Sequence, residues 1–167
     1  MGEREIMEIN ILGTQVVLND DPQLEGICLT IFFCGCHHKC FNCQNVRSWD
    51  AQNGKLVNIT EIKEKIKNSR KLITSVCFCG GEPILQEEAV IKLTSTCKEY
   101  GLKTILYTGY EFEKLSDDIR NLIDIIIDGK YIDEQFQIGF PASANQRIFL
   151  NGVLTDPKTL SINQGGV

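Results

Sequence analysis

The sequence predicts an α/β fold, an open partial (β/α) barrel on a mostly parallel sheet. Three observations carry this. Short apolar runs of strand length alternate with stretches in which apolar residues recur every third or fourth position, the pattern of βαβ units. Three of the four clearest strands run straight into a polar or glycine-rich segment: Cys34 to Cys43, Gly80-Gly81-Glu82-Pro83, and Thr108-Gly109; Asp128-Gly129-Lys130 follows the fourth. Right-handed crossovers would gather all four segments on the rim formed by the strand carboxyl ends, where parallel α/β folds bind their ligands.

Taken in order, EIMEINILGTQVVL, with Gly13 at a turn, reads as a short hairpin or irregular arm, and residues 1–26 are assigned to that arm. The run ICLTIFF is apolar on both sides, as in a strand covered on both faces. Cys34 to Gly54 has no period and reads as a long functional loop. Thr60 is placed to cap the helix TEIKEKIKNSR, whose Ile62 and Ile66 lie one turn apart. The strand TSVCFC leads through GGEP into a helix with Leu85, Ala89, Leu93 and Cys97 on one stripe, ended by Gly101. KTILYTG reads as a strand, Phe112, Leu115, Ile119 and Leu122 as a helical face, LIDIIIDG as a buried strand and QRIFLN as a last strand. Residues 151–167 form a tail, and the whole of 1–167 is expected to be one domain.

With 167 residues, 43% of them hydrophobic, the chain can bury a core of its own. No stretch approaches the roughly 20 apolar residues of a membrane span, and MGEREIMEIN is too charged for a secretory signal. A cytoplasmic protein with no membrane association is therefore expected. The net charge of −5 and the lack of a lysine or arginine cluster argue against direct nucleic-acid binding. Eight cysteines in such a chain point to metal rather than disulfides. Cys28, Cys34, Cys36, Cys40 and Cys43 crowd one region, Cys77 and Cys79 form a pair, and Cys97 stands apart.

The strongest signal is Cys36-His37-His38-Lys39-Cys40-Phe41-Asn42-Cys43. Three thiolates leave one metal coordination position open, whereas a structural zinc site or a ferredoxin cluster takes four protein ligands. The spacing alone also allows a zinc knuckle with His37 or His38 as fourth ligand. Gly80-Gly81-Glu82-Pro83 reads by itself as a tight turn before a helix, or as a place where a ligand approaches the backbone closely.

Together, the Cys-x3-Cys-x2-Cys loop and the GGEP segment one βα unit later resemble the radical S-adenosylmethionine (SAM) superfamily. Tyr107-Thr108-Gly109-Tyr110, Asp128-Gly129-Lys130-Tyr131, Asn145-Gln146-Arg147, Asn45 and Trp49 resemble the activating enzymes of anaerobic (class III) ribonucleotide reductase, within the glycyl-radical activase group. The resemblance runs from about Ile27 to Leu150. It implies a radical SAM type of partial barrel with a [4Fe–4S] cluster on Cys36, Cys40 and Cys43 and SAM chelated to the remaining iron. It also implies cofactor contacts from Gly80, Gly81, Glu82, Thr108, Asp128 and Lys130. Asn42 stands where the superfamily commonly has an aromatic side chain against adenine, so its cofactor contact is expected to lack that stacking. The resemblance further implies reductive cleavage of SAM, hydrogen abstraction from a glycine of a large glycyl-radical enzyme, in the first instance anaerobic ribonucleotide reductase, and a flavodoxin- or ferredoxin-like electron donor. His38 is expected to hydrogen-bond rather than ligate, and Trp49 to anchor the core beneath the loop. Before the first strand, DDPQLEGICL lacks the Gly-Pro-Gly and arginine run that many activases carry, which leaves room for another peptide or small-molecule substrate.

Overall fold

A computed structural model of the chain describes residues 6–18, 20–23 and 26–160. The parts of the amino-terminal arm at 1–5, 19 and 24–25, and of the tail at 161–167, lie outside them. Eight strands form one open sheet: β1 (Glu8–Val17), β2 (Cys28–Phe33), β3 (Lys55–Asn58), β4 (Ser75–Gly80), β5 (Lys103–Tyr107), β6 (Ile125–Asp128), β7 (Arg147–Leu150) and β8 (Val153–Thr155), in the order β3-β1-β2-β4-β5-β6-β7-β8. Among the described residues four α-helices accompany them: α1 (Ile59–Ser69), α2 (Glu87–Glu99), α3 (Asp117–Leu122) and α4 (Pro157–Leu160).

The parallel ladder is confined to the centre, β2-β4-β5-β6, where helices carry the chain from one strand to the next. The remaining pairs are antiparallel, which corrects the expectation of a mostly parallel sheet. On the far side β7 and β8 are joined by Asn151-Gly152, both at positive φ (48° and 77°), the hairpin chemistry that returns a strand antiparallel. On the near side the expected hairpin or irregular arm is one ten-residue strand. Gly13 marks a slip in register, not a turn, because Ile9 and Ile11 before it and Val17 after it all pack against apolar clusters.

Alternation along the strands separates two faces. Leu29, Ile31, Phe33, Val76, Phe78 and Leu106 pack with Ile62, Ile66, Ala89, Leu93, Cys97 and Ile119 of the helices. Each fully buried Ile or Leu there contributes about 1.5–3 kcal/mol. The opposite face carries a smaller cluster of Cys28, Cys77, Ile105, Ile125, Ile127 and Ile148, with Cys79 and Tyr107 at its margin, and turns inward toward the ligand side. Helix boundaries shift from the sequence reading. Asn58 rather than Thr60 caps α1, its Oδ1 accepting from the Thr60 N–H (2.9 Å), since β3 runs to that point. Leu85 sits in a 3-10 turn, half exposed, and Val90 takes its place on the buried face of α2. Phe112 and Leu115 precede α3, which Ser116 caps.

Candidate metal centre

The cluster loop is closed by backbone bonds at its base. Gly35 N–H donates to Ser48 O (2.7 Å), Cys36 N–H to Trp49 O (3.0 Å), and Cys34 N–H to Asn10 O of β1 (3.0 Å). Between these points the chain reverses at Lys39 and Asn42, both left-handed (φ 48° and 53°), an uncommon conformation for residues with a Cβ. Cys36, Cys40 and Cys43 thereby line one cavity of about 690 Å³, shared with Gly80, Gly81, Glu82 and Thr108. The Cys43 sulfur accepts from the Asn45 N–H (3.4 Å), and the backbones of His38 and Lys39 near Cys36 and of Tyr131 near Cys40 favour the thiolate there. Burial nonetheless pushes the Cys36 and Cys40 thiols up from their ordinary value, so metal must displace their protons.

The donor set fits a cluster better than a zinc knuckle. Nε2 of His37 pairs with the Tyr110 hydroxyl (2.9 Å), and Nε2 of His38 with Oε2 of Glu82 (2.8 Å). Among the described residues no three His, Cys, Asp or Glu side chains converge on one ion position. Tetrahedral zinc at about 2.3 Å from each sulfur would draw the sulfurs to about 3.8 Å from one another, whereas a [4Fe–4S] cluster spreads three thiolates over three irons.

Glu82 is the hub of the cavity wall. It is buried, with 1% exposure, and its carboxylate accepts four hydrogen bonds or close polar contacts. Oε1 takes the Ile84 N–H (3.1 Å) and the Thr108 hydroxyl (2.8 Å); Oε2 takes the Gly109 N–H (2.8 Å) and faces His38 Nε2. One carboxylate thus ties the end of β4 to the loop after β5 and to the cluster loop. The packing around it is close. A Cβ at Gly80 (φ 101°) would lie 2.5 Å from Phe33 O, one at Gly81 2.3 Å from Gly35 O, and one at Gly109 2.5 Å from the His38 ring. Gly80 and Gly81 are required by the protein's own backbone and Gly109 by the His38 ring, and all three line the cavity. His38, as expected, hydrogen-bonds through its ring, and its edge meets Tyr110 at a centroid distance of 4.8 Å.

Three predicted residues stand elsewhere. Asn42 is exposed and donates to Oδ2 of Asp133 (3.0 Å). Asp128 is buried, and its oxygens accept from the Phe112 N–H (2.7 Å) and from the main chain and guanidinium of Arg147. Arg147 also forks onto Glu113 (3.0 and 2.8 Å), which holds the Glu113 carboxyl down at about 2 and raises the guanidinium further. Lys130 is exposed, and its carbonyl accepts from Asn145 (2.8 Å). Of that segment Gly129 reaches the cavity, held by Gln146 Nε2 on its carbonyl (3.0 Å). Asn145-Gln146-Arg147 therefore serves Asp128-Gly129-Lys130 directly.

Around the site the sequence reading missed some residues and placed others differently. Gln86 bonds Asn10 N–H (2.8 Å) and Asn10 O (2.9 Å), 76 residues away, and fastens β1 to α2 beside the loop. Trp49 is half-buried and lines the cavity; the buried residue beneath the loop is Ser48. Phe136, Ile138 and Phe140 form an apolar side of the mouth, and their polar surroundings in the sequence carry no period that would reveal it. A second cavity, about 320 Å³, lies at the opposite strand ends around Lys103 and Asp124 and contains none of the predicted residues.

Residues 23–149 match the family model described as a 4Fe-4S single cluster domain. The chain is 36% identical over 112 residues to the anaerobic ribonucleoside-triphosphate reductase-activating protein of Enterobacteria phage T4, covering 64% of this chain and 72% of that one. It is 34% identical over 136 residues to the protein of the same name from Haemophilus influenzae, covering 74% and 88%. A pyruvate formate-lyase-activating enzyme of Clostridium pasteurianum is 30% identical over 114 residues, covering 65% of this chain and about half (48%) of its own length. With a three-cysteine loop on one cavity and these relatives, the chain belongs to the glycyl-radical activases of the radical SAM group, oxidoreductases that use a [4Fe–4S] cluster and S-adenosylmethionine.

Proposed function

We propose that the chain installs a glycyl radical on an anaerobic ribonucleoside-triphosphate reductase in the cytoplasm, drawing electrons from a flavodoxin- or ferredoxin-like donor. The observation that supports this most directly is the shared cavity of Cys36, Cys40 and Cys43 with Gly80, Gly81, Glu82 and Thr108. When bound, the cluster supplies the electron that breaks the C5′–S bond of SAM, and the nucleoside fragment takes a hydrogen atom from a glycine Cα.

The chain's own residues bind and position. Cys36, Cys40 and Cys43 would hold the cluster, three thiolates that leave one iron for the methionine end of SAM. The main chain at Gly80 and Gly81 approaches the methionine ammonium, and Glu82 keeps that main chain fixed against the cluster loop while adding negative potential nearby. Thr108, hydrogen-bonded to Glu82, borders the methionine or ribose. Asp128, through Arg147, sets the course of Gly129 and Lys130, and the Lys130 ammonium would supply the positive charge for the SAM carboxylate. Asn42, held on Asp133 at the outside of the loop, would meet the adenine at most from the rim and without stacking. The open sheet acts as a partial barrel of the radical SAM type within a single domain, and the apolar mouth leaves its open side to a macromolecular substrate.

Anaerobic incubation with the reductase, SAM and a low-potential reductant tests the reading by electron paramagnetic resonance. A glycyl doublet is expected on the reductase. Steady SAM turnover without that doublet would move the target to another peptide or small molecule.

A further inference from the structure

The outer edge of β1 is left open beside the cavity. β3 covers β1 only from Glu8 to Ile11, and among the described residues no strand pairs with the far side of Thr14 to Val17. The direction of each backbone group there follows from β2. Ile27 O accepts from Thr74 N–H and Phe33 O from Gly81 N–H (both 2.8 Å), so the odd-numbered residues of β2 point their main chain at β4. The even-numbered ones point at β1, as the Cys34 N–H to Asn10 O bond also shows. Gln15 and Val17, opposite Thr30 and Cys28, are therefore the residues bonded across to β2. Thr14 and Val16, between and before them, direct their N–H and C=O outward. Val16 is 47% exposed and Leu18 66%. Free strand edges of this kind are templates for another extended chain.

We propose that this edge is where the glycyl-radical partner docks, its glycine-bearing segment adding as an extended strand against Thr14 and Val16. The occupant follows from what lies alongside. Gln15 and Val17 line the same cavity as Cys36, Cys40, Cys43 and Gly81. A strand added about 4.8 Å away turns alternate residues to the same side as Gln15 and Val17, toward that cavity. At such a position a glycine presents Cα–H with no Cβ in front of it. Main-chain bonds give the site its affinity without demanding a particular side chain, and the exposed Ile138 at the mouth, with Leu18 at the end of the edge, offers apolar contact.

This docking edge rests on the activase reading above, and its test separates the two. Val16→Pro removes one outward N–H that the native sheet does not use, a position where edge strands tolerate proline; Val16→Ala keeps the N–H and shortens the side chain. With the whole anaerobic ribonucleoside-triphosphate reductase as probe, Val16→Pro is expected to raise the KM for the reductase about tenfold or more, and Val16→Ala by less than about threefold. SAM cleavage in the absence of the reductase stays at the wild-type rate in both. In the wild-type protein, hydrogen exchange at the Thr14 and Val16 amides slows when the reductase is added. An unchanged KM for Val16→Pro overturns the docking edge, and so do Thr14 and Val16 amides already protected without the reductase, whether by a second copy or by the chain's own carboxyl end. Should Val16→Pro not fold, the exchange experiment on the wild-type protein decides alone. A wild-type protein that cleaves SAM and never yields the glycyl doublet defeats the activase reading instead.

Discussion

Glu82 and Asp128 make a natural pair for comparison. Glu82 stands two residues past the central strand β4 and Asp128 ends β6; both are 1% exposed, and both carry a carboxylate whose oxygens are fully engaged. Glu82 is met by main-chain N–H groups, a hydroxyl and an imidazole drawn from three loops, and it lies in the cavity wall. Asp128 is met chiefly by a guanidinium, itself shared with Glu113, and it lies outside the cavity behind Gly129. A buried charge must be paired or solvated by dipoles. The dipolar solution leaves the loops around Glu82 dependent on one another, whereas the ionic one fastens β6 to β7 and serves stability first.

The comparison can be broken at several depths. Cys36→Ala removes a proposed cluster ligand from the loop that Glu82 holds. It is expected to abolish both the brown colour after anaerobic iron–sulfur reconstitution and SAM cleavage, and a variant that kept a full complement of iron would undo the ligand assignment. Arg147→Ala strands the Asp128 carboxylate without its cation. Because Arg147 is 35% exposed, the loss should fall somewhat below that of a fully buried pair, about 2–4 kcal/mol in urea unfolding, with SAM affinity lowered only through the displaced Gly129 segment. Glu82→Gln puts an amide NH2 where two donors already point. About 1–3 kcal/mol of stability should be lost, and SAM affinity measured by calorimetry should drop more than in Arg147→Ala; equal effects on affinity would erase the distinction drawn between the two carboxylates.

The smallest effect concerns pH. Glu113 is held at about 2, below its ordinary 4.5, by the Arg147 guanidinium first and its own main chain second. A depressed carboxyl contributes stability that is fully present above pH 4.5 and lost as the pH falls through about 2. Glu113 is fully exposed, so the contribution is small. Glu113→Gln should flatten the stability profile across that acidic window and leave neutral stability almost unchanged, and an unaltered acid limb would show the pair to be inert.

Much of the frame could be read along the chain. The four central strands announce themselves because both of their faces are apolar, and Cys36, Cys40 and Cys43 because eight residues of loop set their own spacing. Thr108 and Gly80 to Glu82 were legible as motifs at strand ends, and they do meet at the cavity. What β1 would do was not legible: a glycine within an apolar run reads equally as a turn or as a bulge, and only pairing with both β2 and β3 selects the long strand. Leu85 fitted the helical stripe by number, yet Glu82 and Pro83 hold that turn in 3-10 geometry and swing it outward.

The order of residues alone determined which donors are available for metal, where the buried strands run, and that their carboxyl ends carry the chemistry. Those features depend on neighbours a few positions apart, so periodicity and spacing express them. Tertiary structure decided that Glu82 binds Thr108, Gly109 and His38, that Asp128 turns to Arg147, and that Thr14 and Val16 are left facing outward. Each of these depends on which distant backbone arrives at hydrogen-bonding distance, and a buried polar group takes the partner that chain closure brings to it.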